Sequence, residues 1–390
     1  MTTKLRFLPV LTLAAGALLW NMPLAAAQAY NKDYVGETII HKAKYEDTLV
    51  HLAREHGLGF VEMRAANPKL DPWIPGEGAR VVIPTQSLLP DAPRSGIVLN
   101  LAEMKLYLFE KPGQAPIVYA ISPGREGLNT PIGTTTINAK KVGPTWRPTA
   151  RMLKEDPTLK EFYPPGPENP LGTHALYLGW PEMRIHGTNK PYAIGRRASS
   201  GCIRMYPESI RDIYNRVPVG TKVTSVDQPV KVGWIKDKMY IEVSPTQEQS
   251  LRVEELGEFK SYEITSEDMK RITKKAGPYA DLIDWEAVRK VVREHRGYPI
   301  AILDRAGVKG AHVLDETAVE LEAEVAADLS AKKASAKTPP KVVVVEERVV
   351  VKQTTPSQKQ VTKTTVVKTS GEIADAAKAP VRKIPSSLNQ

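Results

Sequence analysis

Through the middle of the chain, apolar positions recur in short runs punctuated by glycine and proline, without long stretches of helical period. Ile97-Val98-Leu99-Asn100, Lys105-Leu106-Tyr107-Leu108-Phe109, Ile117-Val118-Tyr119-Ala120-Ile121 and Gly133-Thr134-Thr135-Thr136-Ile137 each read as a strand. Their regular spacing predicts a predominantly β domain over about 94–243. Near its end the period changes: Ile210, Ile213 and Tyr214 share one face of a helix expected from Pro207 to Val217.

Smaller patterns flank this block. Over 37–86 the order is strand, helix, helix, strand, with Thr38-Ile39-Ile40 at the start and Val81-Val82-Ile83-Pro84 at the end. Asp47 is the expected N-cap of a helix carrying Leu49, Leu52 and Ala53, which stops at Gly57. A second helix, Phe60 to Ala66, ends at Asn67-Pro68, where proline disfavours further helix. Residues 250–315 predict a short helical C-terminal extension, with helices from about Glu267 to Ala276 and Trp285 to Arg296, and His295 exposed in the last turn. Beyond 316 the chain turns Ala/Glu-rich and then Lys/Thr/Val/Pro-rich, which predicts a disordered basic tail. The expected class is α+β: a β-rich domain, a small βααβ module and a helical extension.

The N-terminus changes the compartment. Lys4 and Arg6 precede an apolar run from Phe7 to Trp20, and small residues follow around Ala25-Ala26-Ala27 and Ala27-Gln28-Ala29. About 14 apolar residues fall short of the roughly 20 that span a bilayer, so residues 1–29 read as a cleaved signal peptide and leave no transmembrane anchor. Charge adds little to the folded part. The formal net charge is +10, but residues 331–390 hold twelve Lys/Arg against four Asp/Glu and so carry +8 of it. A basic stripe for nucleic acid is not supported, no nucleic-acid partner is expected, and the tail suits anionic envelope surfaces.

Export gives weight to the single cysteine, Cys202, which has no partner for an internal disulfide. It lies in Ser199-Ser200-Gly201-Cys202-Ile203-Arg204, sixteen positions after the histidine of Ile185-His186-Gly187-Thr188. A thiol nucleophile needs a base or cation and donors for the oxyanion. His186 supplies the first, Gly201 permits a tight turn and close approach of substrate, and Arg196, Arg197 and Arg204 add positive charge. The amino end of the following helix is expected to add its dipole at Cys202. A metal site is not supported, since Cys202 and His186 are only two ligands and His174 sits in an apolar run. Ser199 or Ser200 as nucleophile lacks a G-x-S-x-G elbow. No cofactor is implied.

Two resemblances follow from these residues. Asp47-Thr48-Leu49, Leu52-Ala53, Ala66-Asn67-Pro68 and Val82-Ile83-Pro84 together resemble a LysM module, which implies binding to peptidoglycan glycan strands. His186-Gly187-Thr188 with Ser199-Ser200-Gly201-Cys202-Ile203-Arg204 resembles the signature of the L,D-transpeptidases, or YkuD domain, and Thr130-Pro131-Ile132-Gly133 resembles a second motif of that family. The order of domains is like that of periplasmic, enterobacterial-type members. The resemblance implies that Cys202 attacks a peptidoglycan stem peptide and expels D-alanine, that His186 carries the proton, and that the Gly187 carbonyl orients the imidazole. It implies supporting places for Ser200, Gly201 and Arg204; the family often has histidine where Ser200 stands. The acceptor would be a diaminopimelate amine or the lysine of an outer-membrane lipoprotein. Water as acceptor would make the chain an L,D-carboxypeptidase or amidase, and a non-catalytic peptidoglycan-binding protein is the alternative of another class.

Overall fold

The computed structural model describes residues 29–255, 263–307, 345–351 and 361–367. The signal segment expected at 1–29 lies outside them except for its last residue. The chain divides into two units, 1–322 and 323–390.

The first unit begins with β1 (Tyr34–Val35), β2 (Ile39–Lys42), α1 (Leu49–Glu55), α2 (Phe60–Ala66), β3 (Arg80–Ile83) and β4 (Ser87–Leu88). β2 and β3 pair antiparallel, and α1 and α2 cover them over a small core of Leu49, Leu52, Leu58, Met63, Val81 and Ile83. The cap of α1 is Thr48, whose hydroxyl accepts from the His51 N–H at 3.0 Å, and not the expected Asp47. Asp47 instead lies 2.7 Å from His41 Nε2 across the strand and accepts from the Lys44 N–H. Asn67 does more than stop α2. Its buried amide donates to the Met63 and Val82 carbonyls and accepts from the Val82 N–H, tying the helix end to β3.

Eight strands follow and close into a barrel: β5 (Gly96–Asn100), β6 (Lys105–Phe109), β7 (Ile117–Ser122), β8 (Gly133–Val142), β9 (His174–Leu178), β10 (Arg184–His186), β11 (Ile203–Met205) and β12 (Lys222–Val226), in the order β10-β11-β7-β6-β5-β12-β8-β9. The two parallel pairs are β10–β11 and β5–β12. Every second side chain turns inward, so Ile97, Leu99, Leu106, Leu108, Ile185 and Ile203 build one apolar core. α3 (Ala150–Glu155) lies in the long connection after β8, and α4 (Pro207–Arg216) packs Ile210 and Ile213 into the core. Val50, Phe60 and Val61 of the small module belong to this same core, so the module is not an independent bead on the chain.

β13 (Val230–Ile235) and β14 (Lys238–Val243), expected within the 94–243 domain, instead form a three-stranded antiparallel sheet with β15 (Ile300–Asp304). α5 (Gln247–Glu255), α6 (Ser266–Ala276) and α7 (Trp285–Glu294) complete this part, and α6 and α7 pack on the sheet through Ile272, Val288, Val291 and Val292. The helices of the expected C-terminal extension thus pack on a sheet that takes its first two strands from 230–243 and its third from β15. His295, expected exposed, is 0% exposed: it ends α7 in a left-handed conformation and its Nε2 lies 3.1 Å from Gln249 Nε2.

One buried cluster of charge joins all three parts. Lys231 of β13 reaches Glu103 at 2.6 Å and Glu242 of β14 at 2.9 Å, and donates to the Leu88 carbonyl at 2.5 Å. Lys105 of β6 reaches Glu62 of α2 at 2.7 Å and Glu103 at 3.8 Å. Three carboxylates thus face two ammonium groups. Burial pushes the carboxyls of Glu62 and Glu242 above the usual range, while their charge holds Lys105 protonated.

In the second unit, β16 (Val345–Val351) pairs antiparallel with β17 (Val361–Val367), within the stretch for which sequence predicts disorder. The other residues of 323–390 lie outside the described residues.

Lys231→Met should cost about 3–5 kcal/mol, because two buried carboxylates lose their partner. Urea unfolding measures it, and a loss under about 1 kcal/mol would show that the cluster is not a joint. A carboxyl raised in the fold keeps a proton that the unfolded chain has lost. In wild type the cluster's contribution should accordingly fall as pH rises from the unfolded carboxylate range, about 4.3, through the higher folded values.

Candidate active site

Strand parity assembles the site. β10 and β11 run parallel with Ile185 beside Ile203 and His186 beside Arg204. Ile185 and Ile203 point into the barrel core, so the alternate positions Arg184, His186 and Arg204 share the opposite face, and Cys202, two residues before Arg204, joins them. On one side β9 places Tyr177 beside Arg184 and Ala175 beside His186, and on the other β7 places Ser122 beside Arg204. A thiol, an imidazole and two guanidinium groups therefore stand in one patch of sheet.

Cys202 sits at the end of a turn that several side chains brace. Gly201 has φ of +102°, and a Cβ there would lie 2.9 Å from Met183 Cε. The Gly201 carbonyl accepts from Thr130 Oγ1 at 2.7 Å, and Thr130 Oγ1 accepts from the Gly124 N–H at 3.0 Å. Ser199 Oγ donates to the Cys202 carbonyl and accepts from the Gly201 N–H. Ser200 Oγ accepts from Arg151 at 3.0 Å, which brings α3 to the rim. The thiol itself is partly exposed and lies 3.4 Å from the Glu182 carbonyl, offered by a residue at φ +59°.

Electrostatics define the resting protonation state. His186 Nδ1 lies 2.7 Å from the Gly187 carbonyl oxygen. A carbonyl only accepts, so Nδ1 carries the hydrogen and Nε2 keeps its lone pair. Burial and the neighbouring Arg204 charge push the imidazole down to about 3, so it is neutral across the physiological range. Burial raises the thiol above its ordinary value, and Arg184, through its charge and its hydrogen bonds, and Arg204 draw it partly back. Thiol and imidazole, on one sheet face, are thus both neutral at rest.

The residues singled out in the sequence separate into two groups. Cys202, His186, Gly187, Gly201 and Arg204 come together, with Ser200 at the edge. Arg196 and Arg197 do not face the thiol. Arg196 forms an ion pair with Glu254, and Arg197 donates to the Leu101 carbonyl at 2.7 Å. Nor does the α4 dipole reach Cys202: β11 intervenes, and the first turn of α4 meets the small module, where Glu208 pairs with Arg54 at 2.9 Å. His174 stacks edge-on against Tyr214 at 4.8 Å. The omitted residue is Arg184, whose guanidinium stands 5.4 Å over Tyr177 and whose Nε–H is buried without an acceptor in the protein. Three residues are too few to show a strand period, so only β10 itself, once formed, shows that a residue two before His186 shares its face. Among the described residues no group of three or more His, Cys, Asp or Glu is placed to hold a metal ion.

Residues 94–225 match the L,D-transpeptidase catalytic domain, YkuD. The chain is 44% identical over 201 residues to the probable L,D-transpeptidase YbiS of Escherichia coli K12, covering 50% of this chain and 65% of YbiS. With the probable L,D-transpeptidase YcfS of the same organism, identity is 38% over 231 residues, covering 57% of this chain and 71% of YcfS. The chain belongs to the L,D-transpeptidase family. A solved L,D-transpeptidase from Mycobacterium smegmatis overlaps 52% of this chain and 96% of its own, at 17% identity and a TM-score of 0.28, too low to add detail. Within the family domain lie β5 to β11 and the whole Cys202–His186 patch.

Alkylation of Cys202 by iodoacetamide, followed by intact mass against pH, reads the protonation state directly. One inflection is expected, above the ordinary thiol value, and Arg184→Gln should move it higher still. A reactive plateau reaching below about pH 7 would instead mean a standing thiolate–imidazolium pair.

Proposed function

We propose that the chain is an exported, periplasmic L,D-transpeptidase acting on peptidoglycan, with Cys202 as nucleophile and His186 as proton carrier. The observation that carries this is the single sheet face bearing Cys202, His186, Arg184 and Arg204, with the imidazole tautomer fixed by the Gly187 carbonyl. Among the described residues no helix is long and apolar enough to cross a membrane.

The thiol sulfur attacks the carbonyl carbon between the third residue of a tetrapeptide stem and its terminal D-alanine, as the thiol proton passes to His186 Nε2. The two guanidinium groups oppose a lasting imidazolium, so the proton moves on promptly to the departing D-alanine nitrogen. They also stand where negative charge grows on the carbonyl oxygen, and the unpartnered Arg184 Nε–H is a donor for it. The C–N bond breaks and a thioester remains on Cys202. An acceptor amine, from a diaminopimelate side chain or the lysine of an outer-membrane lipoprotein, then attacks the thioester, gives its proton to His186, and leaves an amide as the thiol re-forms. Gly201 and Ser200 shape the approach, and Arg204 supports the charge. The βααβ module is read as LysM, a glycan-strand anchor that raises local substrate concentration.

Purified protein incubated with tetrapeptide muropeptides should release D-alanine. Cys202→Ala should release none, and His186→Ala should lose about 10²–10⁴-fold. D-alanine release that persists in Cys202→Ala would end the assignment, and tripeptide without any cross-linked or amine-linked product would make water the acceptor.

A further inference from the structure

A parallel pair such as β10–β11 cannot be joined by a tight turn, so the chain from Gly187 to Cys202 must cross over and return. This crossover contains no α-helix, only one short turn at Pro191–Ala193, and it must still deliver the thiol to a fixed place. Its middle, Ala193 to Arg196, is held from two sides. From below, Ser122 of β7 donates through its hydroxyl to the Ala193 carbonyl at 3.0 Å and accepts from the Gly195 N–H at 3.0 Å and the Arg196 N–H at 3.3 Å. Ser122 is the strand neighbour of Arg204, so this grip is built into the active-site row itself.

From above, the holder is the small N-terminal module. The Phe60 N–H donates to the Ile194 carbonyl at 3.1 Å, and the Val61 N–H to the Gly195 carbonyl at 3.2 Å. The backbones touch: a Cβ on Gly195, at φ +80°, would lie 2.1 Å from Gly59 Cα, and a Cβ on Gly59 would lie 2.7 Å from Gly195 Cα. The Arg196 guanidinium lies over the Phe60 ring at 3.7 Å and pairs with Glu254 of α5. Beyond the thiol, Tyr206 donates to the Leu58 carbonyl at 2.9 Å, so both ends of the Cys202 segment are gripped by the module.

We propose that the βααβ module is a positioning part of the active site: through Gly59–Val61 it clamps the Ile194–Arg196 turn and thereby sets where Cys202 stands relative to His186 and Arg184. This goes beyond a glycan anchor and rests on Cys202 being the nucleophile. An anchor acts through substrate concentration and would affect only insoluble sacculi. A clamp acts on the thiol with no substrate present.

The test uses the full chain. Gly59→Ala adds one methyl at an extended backbone (φ −87°) that any residue tolerates, and its nearest neighbours are the backbone atoms of Gly195. Arg196→Met removes the guanidinium from Phe60 and Glu254 while keeping an apolar stem, and Arg196→Lys is the conservative partner. Tyr45→Ala, at a module position 87% exposed, is the control. With soluble tetrapeptide muropeptide, Gly59→Ala and Arg196→Met should lower kcat at least tenfold with KM within about twofold, and should shift the alkylation pH midpoint of Cys202 toward the ordinary thiol value. Arg196→Lys should recover part of both, and Tyr45→Ala should change neither. Urea midpoints near wild type would separate this from general unfolding. Unchanged kcat and unchanged thiol titration in both Gly59→Ala and Arg196→Met would overturn the proposal. Alkylation needs no turnover, so a wild type that released no D-alanine would defeat the transpeptidase reading and leave the clamp still measurable.

Discussion

The site depends on the parallel pairing of β10 with β11. Two three-residue strands, side by side and in the same direction, put Ile185, Ile203 and Met205 into the barrel core and leave Arg184, His186, Cys202 and Arg204 on the other face. An antiparallel pair could have been closed by a hairpin, which would have kept the connecting backbone at the strand ends. The parallel one forces a long crossover on the outside of the sheet, and the Thr130, Ser199, Ser122 and module contacts all serve to fix that crossover.

The same patch resolves a conflict of charge. Two arginines beside a thiol favour thiolate, but the same two positive charges and the burial of His186 make imidazolium unfavourable. A standing ion pair, such as a lone Cys and His suggest, would place three cations together. The arrangement instead keeps both groups neutral at rest. The Glu182 carbonyl near the thiol suits this state, since a carbonyl welcomes S–H and repels thiolate.

Much of this was legible in the sequence. Strands at 105–109 and 117–122, and the helices Phe60–Ala66 and Pro207–Arg216, follow from local period and punctuation. The residues that lie together in the patch were legible because glycine-rich segments frame Cys202 and His186. What local pattern could not supply was long-range pairing. β14 pairs with β15, some sixty residues later, so β13 and β14 belong to that sheet and not to the barrel. Arg196 and Arg197 looked like thiol partners by proximity in the chain, but Glu254 and the Leu101 carbonyl, distant in sequence, take them. Short strands such as β10 and β11 carry too few residues to show a period, which is why a strand was not expected between Cys202 and α4, nor Arg184 beside the thiol. His295 read as exposed because it ends an amphipathic helix, whereas α5 brings Gln249 over it.

The central claim is that acyl groups pass through Cys202, and the covalent intermediate tests it most directly. The full chain is mixed with a tetrapeptide stem in the absence of any acceptor amine, quenched in acid, and weighed intact. The account predicts one adduct, of the mass of the stem acyl group after loss of D-alanine, removable by hydroxylamine as a thioester must be, mapping to Cys202 and absent from Cys202→Ala. D-alanine release with no adduct on the wild type, or an adduct retained by Cys202→Ala, would contradict it.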